Sequence, residues 1–183
     1  MDLNKRVEQL EKVVDDLVKE VNSLKKEYGN NEDSEWRNNT VDDYMIKLVY
    51  PGIYCQKDNP TAGFPKNRRG ISEKIYPGQY MFIYVASPIK KIVGLTKVTS
   101  TVKQNAGSRW PYYVDLEWVI KPRNGVSFKD CGLDIRPRPG DTLYAINKDK
   151  AKEIIRKLEA QKELDDSTID YLANEYRHIY EEK

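Results

Sequence analysis

From residue 3 to residue 28, apolar residues recur at alternating spacings of four and three without a break: Leu3, Val7, Leu10, Val14, Leu17, Val21, Leu24 and Tyr28. On a helix such residues form one narrow stripe, and its 3.5-residue mean period makes the helix wind around another helix. Val or Tyr at a with Leu at d predicts a parallel dimer. Arg6 at g faces Glu11 at e of a partner, and Glu20 faces Lys25, so the register is attractive. Exposed pairs of this kind set alignment more than stability. Val13 and Val18 occupy g and e and widen the stripe, and no a position carries the Asn that enforces two strands, so dimer, trimer and tetramer all stay open. The competing reading is an amphipathic helix packed on its own domain, since fewer than four heptads make a marginal isolated coil.

A length of 183 residues allows one ordinary domain beside this helix. Residues 29–43, GNNEDSEWRNNTVDD, read as a flexible polar linker between residues 1–28 and a folded domain over 44–183. The net charge of +2 conceals a division, because residues 44–140 hold 16 Lys+Arg against 6 Asp+Glu, a net +10. The flanks hold 15 basic and 23 acidic residues, a net −8. A cationic excess confined to one segment points to a polyanionic partner, nucleic acid first among them.

That segment reads as strands. Tyr44–Tyr50 and Gln79–Ala86 are rich in β-formers, and Ile89–Thr99 alternates in part around Gly94, where a bulge or a close backbone approach is expected. Tyr112, Val114, Leu116, Trp118 and Ile120 alternate with polar neighbours, giving one buried face. Pro51-Gly52, Pro77-Gly78, Asn124-Gly125 and Pro139-Gly140 mark turns. Short strands at this spacing predict a small twisted barrel. Two helices follow, with core stripes Ala151, Ile154, Ile155, Leu158 and Ile169, Leu172, Tyr176, Ile179, Tyr180; Ser167 with Asp170 reads as an imperfect capping box for the second.

Several function classes have nothing to stand on. Cys55 and Cys131 lack the paired spacing of a zinc site or disulfide framework, and the single histidine, His178, fits a helix surface. No metal or cofactor is expected, since there is neither a phosphate loop nor a GxGxxG turn. No apolar run approaches the ~20 residues of a membrane span. The charged N-terminus does not read as a secretory signal, so a cytoplasmic protein is expected.

Three stretches are more specific: Gly63-Phe64-Pro65-Lys66-Asn67-Arg68; Tyr76-Pro77-Gly78 running through Tyr84-Val85 to Lys91-Ile92-Val93-Gly94 and Val98-Thr99-Ser100; and Trp110-Pro111-Tyr112-Tyr113-Val114. In order and spacing, over about residues 44–121, they resemble the EVE family of the PUA-like superfamily. Gln79 stands where that family usually has Asp, and the chain from about Val126 aligns poorly. The resemblance implies an α+β fold, a small PUA-like β-barrel with peripheral helices, here preceded by the coiled-coil helix. It also implies a concave pocket of the kind associated with modified bases in DNA or RNA. Phe64, Tyr84 and Trp110 match positions near that pocket, and Lys66, Asn67, Arg68, Arg69 and Arg109 lie around it, the basic ones supplying charge for phosphates. A base taken out of its stack needs aromatic faces, hydrogen bonds to its edge and cations for its phosphates.

The expected function is a non-catalytic nucleic-acid reader made multivalent by self-association through the coiled coil. One alternative is a coiled-coil scaffold or regulator whose barrel binds a protein or small ligand. Another is an amidohydrolase resembling the ASCH branch of the superfamily, whose Lys–Thr–Glu set is not evident beside Lys91 or Lys97.

Overall fold

The computed structural model describes residues 44–138 and 140–181, together with Val13, Val14, Asp16, Leu17 and Lys19, with side chains described as far as His178. The chain divides into two units, residues 1–39 and 40–183. In the first unit the five described residues are helical, and Val13, Val14 and Leu17 expose more than half their surface. Of the expected heptad, Val14 and Leu17 are therefore on a helix with their side chains exposed. Leu3, Val7, Leu10, Val21 and Leu24, and the linker over 29–43, lie outside the described residues.

In the second unit, strands β1 (Tyr44–Val49), β2 (Thr61–Phe64), β3 (Tyr80–Val85), β4 (Lys91–Val98), β5 (Lys103–Gln104), β6 (Tyr112–Ile120) and β7 (Leu143–Ile146) form one mixed sheet in the order β2-β6-β4-β3-β1-β7, with β5 paired to β6. β1 and β3 run parallel, and every other ladder is antiparallel. A parallel pair needs a long crossover. Here it carries a 3-10 helix (Pro51–Gln56), β2, a second 3-10 turn (Lys66–Arg68) and the short helix α1 (Arg69–Ser72).

The pleat sends alternate residues to opposite faces, and both faces of the central strands are covered. On the first face Met45, Phe64, Met81, Ile83, Val114 and Leu116 pack with Ile169 and Ala173 of helix α3 (Asp166–Glu181). On the second face Ile46, Phe82, Tyr84, Ile92 and Leu95 pack with Phe128, Cys131 and the Ala151, Ile154, Leu158 stripe of helix α2 (Lys148–Glu159). This double coverage explains why β1 and β3 read as almost continuous apolar runs. The sheet curls into a half-barrel with helices around it.

Gly94 meets both expectations placed on it. The register shifts on either side of it, and a Cβ at Gly94 would stand 2.6 Å from the Ile120 carbonyl oxygen and 2.8 Å from Cζ3 of Trp118. The capping expectation is corrected. α3 starts one residue before Ser167, and Asp165 is its cap, its Oδ1 accepting from the Thr168 N–H at 2.8 Å. Ser167 instead donates to Asp165. A carboxylate suits the positive end of a helix, and these hydrogen bonds hold the Asp165 carboxyl down at about 2. Cys55 donates from Sγ to the Ala173 carbonyl at 3.4 Å, Cys131 is buried, and His178 is exposed on α3. Among the described residues, no helix is long and apolar enough to cross a membrane.

Candidate nucleic-acid interface

The two ends of the sheet, β2 and β7, share no ladder, so the half-barrel stays open along one seam. Among the described residues, side chains cross this seam where backbone does not. Lys47 of β1 lies over the Phe64 ring at the end of β2, its Nζ 4.6 Å from the centroid. Tyr50, just past β1, meets Trp110 with ring centroids 5.8 Å apart. Arg68, in the turn after β2, donates from Nη2 to the Gly140 carbonyl ahead of β7 at 3.0 Å.

Local sequence explains these placements. Pro111 biases Trp110 toward an extended conformation, and the indole rests on the bare backbone of Gly63, where a Cβ would stand 2.7 Å from Trp110 Cβ. Only glycine leaves room for that approach. Arg109 caps the pair, its guanidinium carbon 5.4 Å from the Tyr50 centroid and 5.2 Å from that of Trp110. Tyr50 and Arg109 are exposed and Trp110 is half-buried, so rings and cation face solvent together. Lys66 and Asn67 are exposed on the adjoining turn. Arg69 pairs with Glu73 at 2.6 Å while lying 5.9 Å from the Tyr112 centroid.

Lys47 is the unusual group. It shares the inward register of Met45 and Val49, is 2% exposed, and donates to the Leu48 carbonyl at 3.0 Å. Burial drives its pKa down to about 7, because an ammonium ion in an apolar interior loses its hydration. In the turn after β2, the Arg68 Nε is buried without a hydrogen-bond partner among the described residues.

Of the residues singled out from sequence, Lys66, Asn67, Arg68, Arg69, Arg109 and Trp110 gather along this seam. Phe64 is there too, but with no exposed surface it underlies the site rather than facing solvent. The structure does not bring Tyr84 to them. The pleat of β3 turns it to the opposite face, where it stacks on Phe128 at 4.1 Å with the rings 13° apart. Sequence reasoning missed Lys47 and Tyr50. A lysine between Met45 and Val49, at an inward position of an otherwise apolar strand, was a usable signal for Lys47. Tyr50 carried none, because its partner lies sixty residues downstream.

No protein-family description matches the chain, and no curated protein does. Solved structures do match. The YTH domain of Zygosaccharomyces rouxii MRB1, solved in complex with N6-methyladenosine RNA, aligns over 67% of this chain and 90% of its own with a TM-score of 0.51 and 14% identity. The fold is the PUA-like barrel. A hypothetical protein from Leishmania major shares this PUA-like barrel over 64% of this chain and 95% of its own, at a TM-score of 0.50 and 11% identity. An ASCH protein from Zymomonas mobilis covers 67% of this chain and 98% of its own, at 0.44 and 9%. At such identities the likeness to the YTH domain and the Leishmania major protein concerns the fold alone.

Proposed function

We propose that this PUA-like barrel, EVE-like in its motifs, is a non-catalytic nucleic-acid-binding module that holds one base, modified in its biological ligand, at the seam between β2 and β7. The observation that carries this reading is the solvent-facing arrangement of Arg109 over both Tyr50 and Trp110. Rings offer stacking faces to any base, and a guanidinium beside them serves a phosphate or stacks in turn. Lys66 and Arg69, exposed beside the seam, are placed to follow the backbone of the strand. The net +10 of residues 44–140 provides the long-range attraction. The YTH domain, seen with methylated RNA, supports a polynucleotide as a ligand that this barrel can accommodate. The heptad over residues 3–28 would join two or more such modules and raise their avidity.

The test is titration of the full chain with a fluorescent single-stranded oligonucleotide, beside Trp110→Ala. Loss of one stacking platform costs ~1–3 kcal/mol, so affinity is expected to fall about tenfold or more while the fold is retained. A stable variant that binds normally takes Trp110 out of the site. A chain that binds no oligonucleotide at low salt overturns the function.

A further inference from the structure

The Lys47 amine has more hydrogen-bonding capacity than its surroundings use. A lysine amine carries three N–H groups when charged and two when neutral, and among the described residues Lys47 Nζ donates one hydrogen bond, to the Leu48 carbonyl. In either protonation state at least one N–H is left to give. Groups buried with donors unspent are expensive and call for an explanation, and Lys47 is 2% exposed. The strands beside it offer no acceptor side chain, since its register partners are Ile83 on β3 and Leu143 on β7, and the ring under it is Phe64.

Its location supplies a reason. Lys47 lies on the inward face of β1, and among the described residues side chains close the seam around it: the Tyr50–Trp110 ring contact and one exposed hydrogen bond from Arg68 to Gly140. Parting the seam there breaks no strand ladder, so a base would reach the barrel interior without unpairing the sheet.

Resting on the seam as a base-binding site, we propose that Lys47 is a specificity-determining donor that selects a base presenting a keto oxygen over one presenting an exocyclic amine at the same position. A keto oxygen accepts the spare N–H whether the amine is charged or neutral. An exocyclic amino group brings a second donor to a donor and leaves both desolvated, which costs more than an absent contact.

The probes are two single-stranded oligonucleotides identical except for one central residue, uracil in one and cytosine in the other, which exchange an oxygen for an amine on the same ring edge. The full chain is expected to bind the uracil probe about tenfold more tightly. Lys47→Met, similar in length and without a donor, is expected to bring the two probes within about twofold while still binding both; Lys47→Leu serves if the methionine variant does not fold. A wild-type chain with no preference, or a variant that keeps it, overturns the role of Lys47 while leaving the seam as a binding site. A wild-type chain that binds neither probe overturns the nucleic-acid reading, and the role of Lys47 with it.

Discussion

Trp110 rests on Gly63 so closely that a single methyl group at residue 63 would overlap its Cβ, 2.7 Å away. The aromatic pair at the seam thus depends on a missing side chain in β2. Gly63→Ala is expected to push Trp110 off Tyr50 and cost ~1–3 kcal/mol of stability through overpacking, with a loss of oligonucleotide affinity similar to that of Trp110→Ala. Chemical denaturation and titration on the same sample check both. Unchanged affinity would show that the Trp110 position is not what binding needs.

Phosphate contacts position a strand without specifying it, and each contributes about 0.7 to the salt slope of single-strand binding. The exposed Lys66, Arg69 and Arg109 are suited to that role, Arg69 by exchanging its solvent-exposed Glu73 pair for a phosphate, whereas Arg68 is half-buried and bound to Gly140. Replacing Lys66, Arg69 and Arg109 with Ala should lower the slope of log K against log salt by about 2. It should weaken uracil and cytosine probes alike. An unchanged slope would mean that these cations are simply solvated.

Lys47 also makes stability depend on pH, with a definite sign. Its pKa is about 7 in the folded chain, against an ordinary 10.5. Between those values the unfolded chain binds the extra proton, so stability rises with pH from about 7 upward; below 7 both states are protonated and this group contributes no slope. Lys47→Met should remove that rise and stabilise the fold at neutral pH by ~1–3 kcal/mol. Denaturation midpoints of both proteins at pH 7 and pH 9 measure it. Parallel midpoints would show that Lys47 titrates normally.

The heptad predicts self-association in the full chain. Leu10→Lys with Leu17→Lys puts charge at two d positions, and light scattering should then report a monomer whose circular dichroism keeps its β signature. An assembly of unchanged mass would assign oligomerisation to another surface.

The helices and the long strands were legible because their signals are local. The Ala151, Ile154, Leu158 stripe, the alternation of β6 and the tight approach at Gly94 follow from periods and residue sizes that neighbouring residues impose on one another. Asp165 outcompeted Ser167 as the cap because its carboxylate is the stronger acceptor, a difference of two positions that sequence spacing resolves poorly. The short β2 and β7, four residues each, have no period to read and exist through their partners. The site is almost wholly tertiary. Curling the sheet brings Tyr50 to Trp110, Lys47 to Phe64 and Arg68 to Gly140, pairs separated by seventeen to seventy-two residues. The pleat of β3 sends Tyr84 to the opposite face. Sequence by itself determined which residues could stack, carry charge or bend the chain. Which of them share a surface was decided by strand order and register, because a sheet joins residues by hydrogen-bonded neighbours and not by position along the chain.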